Sequence, residues 1–268
     1  MTSTNATIRG LFLALLSIPV FTTPCLADPC KNLSGAQTDK KVDSTTFSST
    51  QKWGKEFIPF TKLRTHYMAR DWKQSFSVPA PPANSSARTK AELEYLQTLV
   101  TKRPERLNAI QKEVMVTEFN FGKHNYKVLT TSAKYKQTAK LLNATYHDMA
   151  AAVFHFKKKY NRVRPSVLAQ KLEVNLNTAI VSPGHPAYPS GHATGTYTIA
   201  YILQELDPAN AKQYLEDAKR IAENREIAGL HYPSDTEAGR LLARQIADSL
   251  LSSKSFQAQL KRAKAEWK

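Results

Sequence analysis

The sequence predicts an all-α protein, a single-domain helical bundle, and three observations carry that expectation. Apolar residues recur at three- and four-residue steps through most of the chain, while alternating strand-like runs are few. With 41% hydrophobic residues in a chain of 268, there is enough apolar surface to bury one core. Only two cysteines occur, Cys25 and Cys30, so the core and not a disulfide framework must hold the chain together.

At the N-terminus, Arg9 precedes an apolar run from Leu11 to Phe21, followed by Cys25-Leu26-Ala27. The charge, the apolar length and the small final residue are those of a secretory signal peptide, with cleavage expected after Ala27. Ser17 and Pro19 interrupt the run, and no later stretch reaches about 18 apolar residues, so the mature chain is expected to carry no transmembrane segment and to be periplasmic or secreted. Residues 28–83 read as a partly irregular leader and 84–268 as the helical domain. Within it, apolar spacing predicts helices over Lys90–Val100, Pro104–Phe119, Ser132–Tyr160, His192–Leu206, Asn210–Gly229 and Asp235–Leu251, then a basic terminal helix over Ser253–Lys268. The Asn-x-Ser/Thr tripeptides at Asn32, Asn84 and Asn143 read as chance matches.

Three of these helices carry polar residues where an apolar stripe would continue. The stripe Leu142, Tyr146, Met149, Val153, Phe156, Tyr160 runs into Lys157-Lys158-Lys159 and Arg162-Val163-Arg164-Pro165. Lys157, four residues after Val153, lies at the edge of the buried face. Pro165 biases Arg164 to an extended backbone and so marks a helix boundary, where a side chain can turn into a cleft. Further on, Tyr188-Pro189-Ser190-Gly191-His192 opens a helix. Ser190 can cap it, and Gly191 leaves its N–H open to an anion at the helix N-terminus. His192, seven residues before Ile199, shares the inward face, either as a satisfied core group or as a proton donor.

The third segment, Tyr214, Ala218, Ile221, Arg225, Ala228, steps 4, 3, 4, 3 along one helix face. Arg225 interrupts it with a charge that cannot be shed, so it needs a carboxylate or a bound anion as partner. His231 follows, with Asp235 four residues later within reach of its ring. A carboxylate that accepts from one imidazole nitrogen leaves the other as a nucleophile.

Lys157-x6-Arg164-Pro165, Pro189-Ser190-Gly191-His192 and Arg225-x5-His231-x3-Asp235 resemble the three motifs of the type 2 phosphatidic acid phosphatase superfamily. The proline-rich stretch Val78–Ser85 is similar to that of its soluble bacterial class A non-specific acid phosphatases, so the resemblance spans roughly Val78 to Ala247. It implies the helical fold shared by acid phosphatases and vanadium haloperoxidases. It also implies hydrolysis of phosphomonoesters by a phosphoric monoester hydrolase through a phosphohistidine. His231 would be nucleophile, Asp235 its orienting partner, and His192 the general acid and base. Lys157, Arg164, Ser190, Gly191 and Arg225 would hold the phosphate. His185 and Tyr188 are candidates to line the pocket. Asn224 stands where the family usually has serine, which puts its contact to phosphate in question.

No metal or other cofactor is implied, and the sequence has no His-Glu-x-x-His or Cys-x-x-Cys pattern. A neutral nucleophile beside a protonated acid predicts a bell-shaped pH profile with an acidic optimum. The expected partners are small phosphorylated substrates, which fit the formal net charge of +16. Homo-oligomerisation is left open. Because the charge is spread out and lacks aromatic interleaving, no specific nucleic-acid binding is expected. Two other readings stand beside this one: a vanadium-dependent haloperoxidase, and a basic polyanion-binding protein with a weakened site.

Overall fold

The computed structural model describes residues 39–268. The expected signal peptide and its cleavage point, together with Cys25, Cys30 and Asn32, lie outside the described residues.

The chain from residue 39 to 83 runs irregularly, with single helical turns at Lys40–Asp43, Phe47–Thr50 and Trp72–Ser75 and a tighter 3-10 stretch at Lys55–Lys62. Among the described residues nine longer helices follow: α1 Ala87–Thr98, α2 Arg103–Lys112, α3 Tyr126–Thr131, α4 Lys136–Tyr160, α5 Pro165–Lys171, α6 Gly191–Leu206, α7 Ala211–Ile227, α8 Pro233–Ser252 and α9 Lys254–Lys264. Among the described residues the only strands are β1 Asn120–Phe121 and β2 His124–Asn125, a two-residue antiparallel pair. The all-α expectation is met. No helix among the described residues is long and apolar enough to cross a membrane.

Local chemistry sets the helix ends. Ser86, Asn125, Ser190 and Ser253 each accept from a backbone N–H of the first turn of α1, α3, α6 and α9, which satisfies a donor that has no partner within the helix. α4 closes with Lys157, Lys158 and Lys159 in its last turn, where cations meet the negative end of the helix dipole, and Asn161 turns the chain at φ 47°. α6 is central, packed against α7, α8 and α4. Its Ile199, Ile202 and Leu203 meet Leu142, Met149 and Val153 of α4, Ile221 of α7, and Leu242, Ile246 and Leu250 of α8 in one buried cluster. A second cluster gathers Leu93, Leu96, Ile110, Val163, Leu168, Ile227, Leu230 and Tyr232.

Two glycines permit close approaches that bring the motifs together. A Cβ on Gly239 would lie 2.8 Å from the Ser190 carbonyl oxygen, so glycine lets α8 press against the start of α6. Gly229 sits at φ 75°, where a side chain is strained, and turns the chain from α7 toward His231.

The structure corrects one helix and adds two. The stretch expected to be helical over Pro104–Phe119 ends at Lys112, because the buried Glu113 carboxylate is taken by Arg220 and Asn224 of α7. A 3-10 turn at Val116–Glu118 and the strand pair follow. α3 and α5 were not anticipated, and both are too short to show periodicity. α5 begins on Pro165 itself, a favoured first helical residue. Asn84 is buried and donates to the carbonyls of Val42 and Thr45, so its amide holds the leader in place.

Candidate active site

The end of α4, the Arg162–Pro165 segment, the start of α6, the end of α7 and the start of α8 converge around His231. Its Nδ1 lies 3.1 Å from Asp235 Oδ2. A carboxylate only accepts, so Nδ1 carries the proton and Nε2 keeps its lone pair. That lone pair faces Arg164 Nη1 at 3.2 Å. Burial, reinforced by the Arg164 charge and opposed by Asp235, pushes the His231 pKa down to about 3. The ring is therefore neutral across the ordinary pH range. Burial alone would raise Asp235, but Arg162 and the His231 contact outweigh it and hold the carboxyl at about 2.

Three cations face the same space. Lys157 Nζ is wholly buried and donates to the carbonyls of Pro186, Ala187 and Pro189 at 2.7, 3.2 and 2.7 Å. Burial and the Arg164 charge hold its pKa well below the lysine range. Arg164 donates to the backbone oxygens of His185 and Leu230. Arg225 donates one N–H to the Ile110 carbonyl, while its Nε and Nη1 have no hydrogen-bond partner among the described residues. Buried guanidinium donors without partners are costly, and an anion in the cleft would supply them. Burial draws both arginines down to about 10, which leaves them charged.

Ser190 caps α6 through Ala193 N–H, and its own N–H donates to the Asp235 carbonyl at 2.9 Å, which ties the second motif to the third. Gly191 sits against Lys157: a Cβ there would lie 3.9 Å from Lys157 Cε. Gly191, His192 and His185 are partly exposed while Lys157, Arg164, Arg225 and His231 are buried, so the buried group is approached from that edge. His192 Nε2 is 2.8 Å from the Glu113 carbonyl, which requires a proton on that nitrogen. Burial and the Arg225 charge push its pKa well below the usual histidine value.

Two of the expected pocket residues turn to other partners. Tyr188 donates its hydroxyl to the Pro79 carbonyl and so anchors the proline-rich stretch. Asn224 donates to Glu113 Oε2 at 2.6 Å and accepts from Arg106 Nε at 2.9 Å. His185 packs edge-on against Phe57, and its Nδ1 lies 3.0 Å from Arg164 Nη2, which aims the guanidinium.

Sequence reasoning missed the support behind Asp235. Arg162 Nη1 lies 2.6 Å from Asp235 Oδ1 and 2.7 Å from Ser234 Oγ, and Arg162 Nη2 lies 3.3 Å from Glu92 Oε2. Ser234 donates to both Glu92 oxygens, through its N–H at 3.0 Å and its hydroxyl at 2.8 Å. The Arg162 guanidinium also stacks 3.8 Å over the Tyr232 ring. Glu92 is fully buried although it is a charged residue on α1, and a glutamate on an inward helix face is the signal that could have pointed to it.

No protein-family model matches the chain. A non-specific acid phosphatase of Providencia stuartii is 32% identical over 111 residues, 41% of this chain and 45% of that protein. A non-specific acid phosphatase of Salmonella typhimurium is 25% identical over 200 residues, 71% of this chain and 78% of that protein. An acid phosphatase of Zymomonas mobilis is 29% identical over 125 residues, 47% of this chain and 46% of that protein. The matched stretch thus spans less than half of the Providencia and Zymomonas proteins. Among solved structures, a bacterial vanadium-dependent iodoperoxidase superposes with a TM-score of 0.57 at 17% identity, covering 84% of this chain and 63% of that one. A bacterial vanadium-dependent chloroperoxidase gives 0.54 at 11% identity, covering 80% and 57%. The likeness to the peroxidases is one of fold. The resemblance to the type 2 phosphatidic acid phosphatase superfamily, read from the three motifs, is borne out by these relatives together.

Proposed function

We propose that this chain is a metal-independent acid phosphatase, periplasmic or secreted, that hydrolyses phosphomonoesters through a phosphohistidine. The observation that carries the reading is the His231 ring, held by Asp235 at Nδ1 so that a neutral Nε2 faces the cation-lined cleft. The acid phosphatase relatives and the apolar run Leu11–Phe21 support the activity and the export.

In this reading the phosphate displaces the Arg164 N–H from the His231 lone pair and takes the open donors of Arg225. His231 Nε2 forms the bond to phosphorus as the ester P–O bond breaks, and His192 gives its proton to the departing alkoxide. Water, deprotonated by His192, then attacks the phosphohistidine and releases phosphate. Lys157, Arg164, Arg225 and the Gly191 N–H stabilise the equatorial oxygens, where positioning and charge supply most of the catalysis. His192 is neutral in the free protein. The incoming phosphate offsets Arg225 and Lys157, which raises the His192 pKa and charges the acid when it is needed.

The test is hydrolysis of an aryl phosphate at about pH 5, a value chosen below the ordinary histidine pKa. Turnover should survive chelator, be blocked by vanadate and disappear in His231→Ala. The dependence of kcat on pH should fall toward alkali as His192 in the phosphate complex loses its proton. A folded wild type without phosphatase turnover, but with vanadate-dependent bromide oxidation by peroxide, would replace this reading with the peroxidase. Polyanion binding unchanged in His231→Ala, without either turnover, would replace it with the binding protein.

A further inference from the structure

Away from the cleft, the leader crosses α4 at His66, Tyr67 and Met68, and all three backbone N–H groups donate to one carboxylate. Asp148 Oδ1 accepts from His66 N–H at 2.6 Å, and Oδ2 accepts from the N–H groups of Tyr67 and Met68 at 2.8 and 3.0 Å. The carboxylate is fully buried and its orientation is fixed.

Oδ1 retains accepting capacity, and two imidazoles converge on it. His66 Nδ1 lies 3.3 Å away and His147 Nδ1 3.6 Å away. The two rings stand edge to face with centroids 4.3 Å apart. His147 Nδ1 is buried and has no hydrogen-bond partner among the described residues, which an apolar packing role does not account for.

We propose that His66, His147 and Asp148 form a binding site for a divalent transition-metal ion of the zinc class. One ligand atom from each residue lies within 4.8 Å of the others, the only such group of three among the described residues. Donor atoms bound tetrahedrally at about 2.0–2.1 Å are about 3.4 Å apart, so the 3.3 and 3.6 Å separations need little adjustment. Two imidazoles and one carboxylate suit Zn²⁺, Cu²⁺ or Ni²⁺ better than Ca²⁺ or Mg²⁺. The three backbone donors that hold Asp148 are the outer partners a ligating carboxylate needs. The partial exposure of both histidines gives the ion a way in and leaves a position for water.

The ion would clip the leader to α4. Lys157 lies ten residues further along the same helix, an axial rise of roughly 15 Å, so the site is separate from the phosphate cleft. The clip should therefore change stability and leave turnover alone.

The test uses the untagged full chain, stripped with chelator and titrated with Zn²⁺ by calorimetry. One equivalent should bind, and at a hundredfold excess over Kd the Tm should rise by about 5 °C. His147→Ala and His66→Ala, the latter at an exposed side chain, should each weaken binding on the order of a hundredfold and abolish the Tm rise. His155→Ala on the same helix should change neither. Co²⁺ in place of Zn²⁺ should give the visible absorption of a low-coordinate site in wild type only. The proposal falls if no stoichiometric binding occurs, or if binding and the Tm rise persist in both His66→Ala and His147→Ala. It falls equally if Zn²⁺ changes turnover at concentrations that fill the site.

Discussion

Arg162 and Arg164 stand two residues apart, yet Arg162 meets Asp235 and Glu92 while Arg164 meets the His231 ring, so they serve two regions built by opposite rules. Behind His231, Arg162 is clamped between Asp235 and Glu92, two carboxylates to one cation. Burial would lower its pKa, but the two carboxylates raise it. In front, Arg164 and Arg225 are drawn down to about 10 by burial, and Lys157 is held by carbonyls alone. The rear network is complete in itself and fixes geometry. The front is short of negative charge, and in the proposed function a bound phosphate would complete it and release its cost.

The strongest way to break this comparison is to remove one cation from each region. Arg162→Met leaves Asp235 and Glu92 buried without their cation and should cost about 3–5 kcal/mol of stability. It should also lower kcat by orders of magnitude as His231 loses its orientation. Arg225→Met should lower kcat/KM by about 10²–10³ while leaving the unfolding midpoint unchanged or higher, since it removes a guanidinium with two open donors. Chemical denaturation and steady-state kinetics on both variants decide the matter. Equal loss of stability in the two would mean that front and rear are one structural network.

A smaller effect follows from the neutral histidines. His231 has a folded pKa near 3 against an ordinary value of 6.5, so below pH 6.5 the unfolded chain binds a proton that the native state refuses. Stability therefore falls as pH drops from about 6.5 toward 3, by at most about 1.4 kcal/mol per pH unit for this group. His192 and His185 act in the same direction. Glu226, pushed up to about 8 by burial, acts oppositely, because it favours the native state as pH falls below 8. The slope difference between wild type and His231→Gln isolates the one histidine. Saturating phosphate should flatten the wild-type slope, since it lets the front of the cleft accept protons. An identical slope in the variant would mean that His231 titrates as a hydrated imidazole.

The front was largely legible in the sequence and the rear was not. Lys157, Arg164, Arg225, His192 and His231 interrupt or end apolar stripes, and the stripes follow from 3.6-residue periodicity over long helices. Glu92 lies on a helix 70 residues from Arg162, and nothing local says that the two meet. Arg162 was visible only as part of a basic run, and its place behind Asp235 depends on carboxylates 70 and 73 residues away in the chain. The helix end at Lys112 was hidden for the same reason, since Arg220 and Asn224 pull Glu113 out of register from a distant part of the chain.

Glu113 blurs the boundary between the two regions and gives the smallest expected effect. Asn224, in place of the usual serine, holds Glu113 Oε2, and that oxygen comes within 3.7 Å of Arg225 Nη2. In the proposed function, a carboxylate this close to Arg225 would compete with the phosphate ester for the guanidinium. Glu113→Gln keeps the shape and removes the charge, so KM for an aryl phosphate should fall a few-fold, matching the modest energy of a partly compensated pair, about 0.2–1 kcal/mol, with kcat nearly unchanged. Asn224→Ser, which releases the carboxylate toward Arg220 alone, should act in the same direction. A rise in KM in both variants would show that Glu113 holds Arg225 in place for the phosphate, which would move Arg225 from the ligand-completed front to the self-sufficient rear.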